Sequence, residues 1–443
     1  MAVILRSNMP YRGNIADLPP LNAPMPADAS FYSDFLADLH ITVDYRGDDP
    51  TRIFNFASMR DRYVRNADGG YSFAAAGSPA RDEFNASSQN LGLLLEGANN
   101  QMLAPTQRMN LGQSAVTGLT VIADGGTPAN EWDRWYALSP SGDGEHSLAL
   151  ASEAAVATNH RRTFAIELRP GSTDHRYVQL SSGTPGDADD YANFDLLTKT
   201  VVQQGAGAVF AGVVPTTFGA ICYIQYVSAY AGIEAPTVSI IATPSAVKQA
   251  AALASNVGGI RARLPHFITA TGTFTRVPPR SPMPSAGAAV LGDRLKLVSP
   301  PADFTFLVRA ICPPWANAFT PTLAAIAQGD SQVNGVSIRT TAGNPLAVVT
   351  RTSNAAAVAH SFSITIQPNQ PLVFAFAKQG NILRIALPTE TYEGELPQLA
   401  NGEPFILSSP VSSEGWDGHL QRVIGWSHGK SLSELQALLA EGI

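Results

Sequence analysis

"PLVFAFAKQGNILRIAL", residues 371–387, consists of two short apolar runs separated by Lys378, Gln379, Gly380 and Asn381. The runs are too short and too rich in β-branched and aromatic residues for a buried helix. They read as two strands. Gly380 can take positive φ at no steric cost, so the break between them reads as a hairpin turn. The same signature recurs along the chain. In "RTFAIELR" (162–169), Phe164, Ile166 and Leu168 share one face, and Ala165, Glu167 and Arg169 take the other. In "SFSITIQP" (361–368), Phe362, Ile364 and Ile366 alternate with Ser363, Thr365 and Gln367. Period-two alternation marks half-buried strands. With short Gly/Pro/Asn breaks and few helical stretches between, it predicts an all-β protein of antiparallel, jelly-roll-like sandwiches.

Length and composition frame that reading. At 443 residues the chain is long enough for about three domains. Charged residues are 15%, and Gly (37) and Pro (32) are plentiful, so the chain turns often. The formal charge of −7 is spread without clustered Lys/Arg, which disfavours a nucleic-acid binder, since phosphate binding needs such clusters. "MAVIL" is followed at once by Arg6, too short for a signal-peptide core. No run of about 18 apolar residues is present, so no membrane insertion is expected, and synthesis is expected in a cytoplasm. Cys222 and Cys312 sit in apolar, strand-like contexts and read as buried thiols. A disulfide and a catalytic thiol are the alternatives.

Four segments emerge. Residues 1–100 read as an attachment arm and docking segment, since "NIADLPPLNAPMPADAS" (14–30) is Pro-rich and weakly patterned and needs a partner to order it. Residues 101–245 read as a first β-sandwich. Residues 246–289 read as a helix and linker, with Ser245 as N-cap and Gly258 near the helix end, then a Pro-rich stretch from 276 to 289. Residues 290–443 read as a second sandwich closed by one helix. In "SLSELQALLAEGI" (431–443), Ser431 and Glu434 form a capping-box pattern, and Leu432, Leu435, Leu438 and Leu439 share a face.

"NLGLLLEGANNQMLAP" (90–105) places four leucines within five residues ahead of a polar run. In a strand, Leu93 and Leu95 face one side and Leu94 the other, so both faces need cover. Asn99, Asn100 and Gln101 can then pair backbone groups of a neighbouring element. The stretch reads as a seam docking the arm to the sandwich that follows it. An ordinary core strand with a polar turn fits the same pattern, and the two differ in what covers the second face.

Three further constellations carry chemistry. "PGDADDY" (185–191) sets Asp187, Asp189 and Asp190 in a loop, with Asn193 and Asp195 close behind. Hard oxygens at such spacing can hold Ca²⁺, although the glycine and glutamate of an EF-hand loop are missing, and a solvated acidic loop is the alternative. "NEWDRWYAL" (130–138) groups Trp132, Trp135 and Tyr136, rings that can stack on sugars if exposed and serve as core if not. Trp416 and Trp426 bracket "HLQRVIGW" and read as core. The eight histidines lack H-x-H or H-x-x-x-H spacing, so zinc is not expected. No G-x-S-x-G, P-loop or solenoid repeat is present. Acid pairs such as Glu131 and Asp133 do not by themselves make a glycosidase. The chain is expected not to be an enzyme and to need no cofactor.

Two stretches resemble tailed-bacteriophage structural proteins of the tail-fibre or minor-tail type. These carry a line of the form F-x-R-A-S, then Y-V, a glycine, an arginine and G-L-L-x-E-x-A-R-T-N. Phe56, Ala57, Ser58, Tyr63, Val64, Gly69, Arg81, Gly92, Leu93, Leu94, Glu96 and Ala98 follow its order, with Asn99, Asn100 and Gln101 replacing the closing triplet. A later Y-x-x-F-D-L-x-T-G-x-V line is matched by Tyr191, Phe194, Asp195, Leu196, Thr198 and Val201, with Lys199 where glycine is usual. Residues 290–443 resemble the laminin-G or concanavalin-A-like sandwich through Asp417, Gly418, Ile424 and the "SLSELQALL" helix. The first 50 residues match neither. The resemblance implies a virion protein, a tail fibre or tail-tip component that binds the host surface, with glycan as the expected ligand. Its expected partners are other virion proteins, reached through the arm, and two further copies in a homotrimer. A capsid decoration or head-fibre protein and a tail-associated glycan-degrading enzyme are the alternatives.

Overall fold

The computed structural model describes residues 25–441 apart from short internal segments, the longest being 57–61, 104–109, 125–133, 249–258, 271–288, 312–321, 328–333, 341–345 and 409–415. Among the described residues the fold is all-β, with antiparallel sheets and one short C-terminal α-helix. A 10-stranded and a 7-stranded sheet enclose one core, and an 8-stranded and a 6-stranded sheet enclose a second. Alternation decides which side chains go inside. Phe374, Phe376, Leu383 and Ile385 of the opening hairpin all enter the first core, and Phe164, Ile166 and Leu168 enter the second. Each such fully buried side chain contributes roughly 1.5–3 kcal/mol. The hairpin is closed by Gly380 (φ +57°) between Pro371–Gln379 and Ile382–Ala386.

The N-terminal segment is not an arm over most of its length. Phe31–Asp34 pairs with the last strand, Gly418–Trp426, from Gly425 back to Arg422. Asn90–Leu95 pairs with the same strand from Leu420 to Gly418. Strand Phe304–Ile311 lies along its other edge. Phe54–Asn55 joins the opposing 7-stranded sheet by pairing with Lys296–Leu297. The C-terminal sandwich is therefore assembled from both ends of the chain, and the sandwich over about 101–270 is inserted within it. Backbone groups along a central strand need partners on both sides, which is why residues 31–34 and 90–95 are drawn into this sheet. Asp28 ties down the chain ahead of them by accepting from Trp426 Nε1 (2.9 Å) and Lys430 Nζ (2.6 Å). Residues 1–24 lie outside the described residues.

The leucine-rich stretch is a seam, but it docks to a different module from the one expected. Leu93 and Leu95 belong to the C-terminal core, not to the sandwich that follows, and Leu94 is buried on the opposite face. Seven residues after Leu95, Met102 and Leu103 are already in the core of the inserted sandwich. Between them Asn99–Gln101 pairs with Ile268 and Thr269 of the inserted sandwich and with the returning strand Ala289–Val290. The outgoing and returning chains are thus hydrogen-bonded to each other at the junction. Gly92 has φ +101°, and a Cβ there would collide with the Leu420 carbonyl. The close approach of the two strands therefore requires glycine.

The C-terminal helix, Leu432–Ala440, has the expected capping box, with Ser431 N donating to Glu434 Oε2 (2.7 Å). Leu435 and Leu438 pack on the outer face of the 10-stranded sheet against Leu307, Ala375, Ile424 and Trp426. Trp416 and Trp426 are both core residues. The alternation of residues 361–368 correctly marks burial of Phe362, with Ile364 and Ile366 against the core. The strand itself ends at Ser361, and beyond Phe362 the side chains of Ile364 and Ile366 are half-buried. Residues 243–248 form turns, and the expected helix beyond them (249–258) and the linker up to 288 lie outside the described residues.

Two outcomes are expected from this weave. A fragment of residues 290–443 should not fold, because Gly418–Trp426 loses every partner on one edge, whereas a chain starting at residue 25 should melt cooperatively by circular dichroism. Gly92→Ala in the full chain should lower stability to denaturant by about 1–3 kcal/mol, the cost of a strained backbone position.

Candidate functional site

The inserted sandwich carries the polar groups of interest at two places, the outer face of its 8-stranded sheet and one end of the barrel-like gap between its sheets. On the outer face, strand register builds cross-strand rows. Glu167 lies opposite Arg263 and Arg169 opposite Arg261. Ala137 lies opposite Arg261 on the next strand, and Tyr136 opposite Ala262, so Trp135 adjoins the outer row and Tyr136 points to the core. The Trp135 ring carries the guanidinium of Arg169 at 4.4 Å and that of Arg263 at 4.5 Å. Arg263 Nε donates to Glu167 Oε2 (2.7 Å), and Thr216 Oγ1 donates to Glu167 Oε1 (2.5 Å). Arg261 and Arg169 both pair with Asp124 Oδ2, Arg169 at 3.6 Å.

The expected sugar platform is corrected by burial. Trp135 is 8% exposed and Tyr136 is 3% exposed, so neither presents a free ring face. Trp132, like Glu131 and Asp133, lies outside the described residues. Trp135 instead serves as the apolar floor beneath two arginines, a common use of an indole face.

At the end of the gap, Arg162 sits on the core-facing side of its strand, fully buried, and its Nε meets Glu234 Oε1 at 2.9 Å. Its other nitrogens donate to four backbone carbonyls, those of Ala157, His160, Ser228 and Tyr230. Tyr226 Oη donates to Glu234 Oε2 (3.2 Å). Burial raises the Glu234 carboxyl above its ordinary range, against the pull of Arg162. Beside this triad lies the acidic loop. Its three aspartates differ in exposure: Asp189 is exposed, Asp187 half-buried and Asp190 buried. Lys248 reaches into the loop and donates to Ser182 Oγ (3.2 Å) and to the Asp187 carbonyl. The expected Ca²⁺ ligand set is corrected accordingly, since the positive charge facing the loop is a lysine of the chain itself. Among the described residues no group of three or more His, Cys, Asp or Glu is placed to hold a metal ion. Burial pushes the Asp190 carboxyl up to about 6, Asp187 adds to the rise and Lys248 opposes it. Burial also lowers the Lys248 ammonium. Cys222 is buried, with its thiol pushed well up by burial, and Cys312 is outside the described residues.

The turn that follows strand Tyr191–Asp195 is fixed by the last residue of that strand. Asp195 Oδ1 accepts from the backbone of Leu197 (3.0 Å) and Thr198 (3.4 Å), forming a turn that places Lys199 at φ +55°. That is the left-handed region, which favours glycine. Lys248, Arg162, Glu234, Arg169, Arg261 and Arg263 were not anticipated as site residues. One signal existed for Arg162, which shares parity with Phe164, Ile166 and Leu168 and so lies on their core face. For Lys248 there was none.

No family model matches the chain, and no curated protein matches it. Solved structures show a distant likeness. The heptameric SAP-like pentraxin from Limulus polyphemus is 15% identical with TM-score 0.24, over 31% of this chain and 70% of that one. Domains LG4–5 of the mouse laminin alpha1 chain are 11% identical with TM-score 0.21, over 70% of this chain and 97% of that one.

The raised Asp190 carboxyl sets a sign for pH dependence. Its folded pKa of about 6 lies above the ordinary 3.8, so the folded state takes up a proton between those values. Its contribution to stability is lost as pH rises through about 6. Asp190→Asn should therefore raise the melting temperature relative to wild type more at about pH 7.5 than at about pH 4.5. A difference that does not change with pH would show that Asp190 is not the titrating group.

Proposed function

We propose that the chain is a tailed-phage virion protein, a tail-fibre or tail-tip component that binds a host-surface glycan and catalyses no reaction. The observation that carries this reading is the seam. Gly92, Leu93 and Leu94, which match the phage-type line in the sequence, are the residues that close the C-terminal sheet and lead into the inserted sandwich. A sandwich held by two paired strands on a second sandwich is a rigid display element, suited to presenting a surface rather than turning over substrate.

The electrostatics agree. Among the described residues most of the buried carboxylates face a cation: Asp34 faces Arg422 (2.6 Å), Glu83 His419 (2.8 Å), Glu167 Arg263, Glu234 Arg162 and Asp195 Arg176. A carboxylate taken up by such a pair is not free to turn toward a substrate proton. In this reading other virion proteins are the structural partners, and a homotrimer is the expected assembly.

Antibody against the chain should label the tail of intact particles, and the purified protein should bind host cells in competition with host polysaccharide and release no oligosaccharide from it. Labelling of the head would replace the tail assignment with a capsid role. Released oligosaccharide would make the protein an enzyme, and failure to bind cells would remove the attachment role.

A further inference from the structure

We propose that the cleft at one end of the C-terminal sandwich, between Phe31, Ile53 and Val298, binds an N-acetylated sugar unit with the acetyl methyl on its apolar floor. This rests on the attachment reading above and names its ligand class.

The cleft has a volume of about 240 Å³. Drug-sized ligands occupy clefts of about 300–1,000 Å³, so this one suits a single small unit. Both ends of the chain build it. Phe31, Thr42 and Ile53 come from the N-terminal segment, and Leu297, Val298 and Phe306 from the C-terminal half. Phe31 pairs with Thr42 on one side and Gly425 on the other, and Phe306 lies beyond Gly425 on the next strand. In the opposing sheet Val298 N donates to the Ile53 carbonyl (2.9 Å), which extends the pairing of Leu297 with Phe54. The floor opens only slightly. Phe31, Ile53 and Leu297 keep 8%, 5% and 7% of their surface exposed, whereas Phe304, Phe374 and Phe376 of the same core keep none. Such an opening admits a methyl group and is too small for an acyl chain or an aromatic ring.

The mouth selects a neutral ligand that accepts hydrogen bonds. Among the described lining residues only Arg52 carries a charge, and it already pairs with Asp49 (3.7 Å) and lies 5.5 Å from the Tyr45 ring. Among the described residues no carboxylate or amide side chain lines the cleft to accept from sugar hydroxyls. Its other polar groups are hydroxyls. Ser30 Oγ accepts from Ser427 N (2.8 Å) and Thr42 Oγ1 from Asp44 N (3.3 Å), which leaves each O–H to donate. An acetamido group brings a carbonyl acceptor and a methyl group together, so it meets the hydroxyls and the floor at once. A plain hexose would turn hydroxyls onto the apolar floor, where they find no partner and lose water. Val298 is 54% exposed and Ser299 is exposed, so both stand at the outer part of the cleft.

The experiment is titration of the full chain with the trimer of N-acetylglucosamine, with cellotriose as control, read by saturation-transfer NMR and followed by whole-cell binding. Saturable binding of the acetylated trimer alone is expected, with the strongest transfer to its acetyl methyl protons. About 0.5 M salt should leave it unchanged, since the ligand is uncharged. Val298→Trp, which fills the mouth from an exposed position, should weaken binding about tenfold or more. Ser299→Trp obstructs the same mouth should the Val298 variant fail to fold. No binding of the acetylated trimer, equal binding of cellotriose, transfer that spares the acetyl methyl, or binding unchanged in the Val298 and Ser299 variants would each overturn the proposal. If the wild type binds cells and the Val298 variant binds them equally, this inference fails while the attachment role stands. If the wild type binds no cells, the attachment role fails, and the trimer titration alone decides the cleft.

Discussion

The strand Gly418–Trp426 needs a partner on both edges, and much of the architecture follows from how that need is met. Phe304–Ile311 supplies one edge, and the N-terminal strands Phe31–Asp34 and Asn90–Leu95 together supply the other. An unpaired edge in the middle of a buried sheet would leave a row of backbone donors and acceptors without water, each costing about 1–3 kcal/mol. The chain therefore cannot finish its last domain without its first hundred residues. It follows that the sandwich between them is an insertion, and that two crossing strands must join it to its host. Their pairing through Asn99, Asn100, Ala289 and Val290 turns two separate crossings into a short ribbon.

Polar groups inside the inserted sandwich are treated in two ways. Arg162 and Glu234 are wholly buried as an ion pair, and the terminal nitrogens of the arginine donate to four carbonyls. Breaking such a pair leaves an isolated charge, at a cost of about 3–5 kcal/mol, so the arrangement fixes the end of the core in one geometry. The Asp190 and Lys248 group a few residues away is less complete, with Asp190 Oδ2 buried and unpaired. Desolvation outweighs attraction there, and for that reason the carboxyl titrates near pH 6 while Glu83, Glu167 and Asp34 have close cationic partners.

Strands were legible in the sequence because alternation is a local signal. Phe164, Ile166 and Leu168 face the core as their parity requires, and so do Phe374 and Phe376. The capping box of the last helix is equally local. What could not be read was which strands pair. Residues 31–34 lie almost 400 positions from Arg422–Gly425 in sequence, and nothing in "FYSD" names that partner. A weakly patterned, Pro-rich lead-in therefore looked like an arm, and the insertion was invisible. The site was legible only in part. "NEWDRWYAL" rightly marked a place where aromatics gather, but side-chain exposure depends on the neighbouring strand, and the arginines that cover Trp135 come from 34 and 128 residues further along. Likewise the aspartates of "PGDADDY" carried no hint that Lys248 would meet them.

The strand Ile260–Ala270 links these features mechanically. Arg261 and Arg263 stand at one end of it, and Ile268 and Thr269 at the other pair with Gln101 and Asn100 of the connecting ribbon. Force applied at the arginine face therefore runs along a single extended strand into the junction, with no loop between. The connecting strand Asn99–Gln101 is separated from Leu95, in the core of the second sandwich, by three residues. A strained bulge at Leu264 lies on this same strand, between the arginines and the junction. It sets the parity that keeps both ends in use: without the extra residue, either Arg263 would turn inward or Phe267 would leave the core.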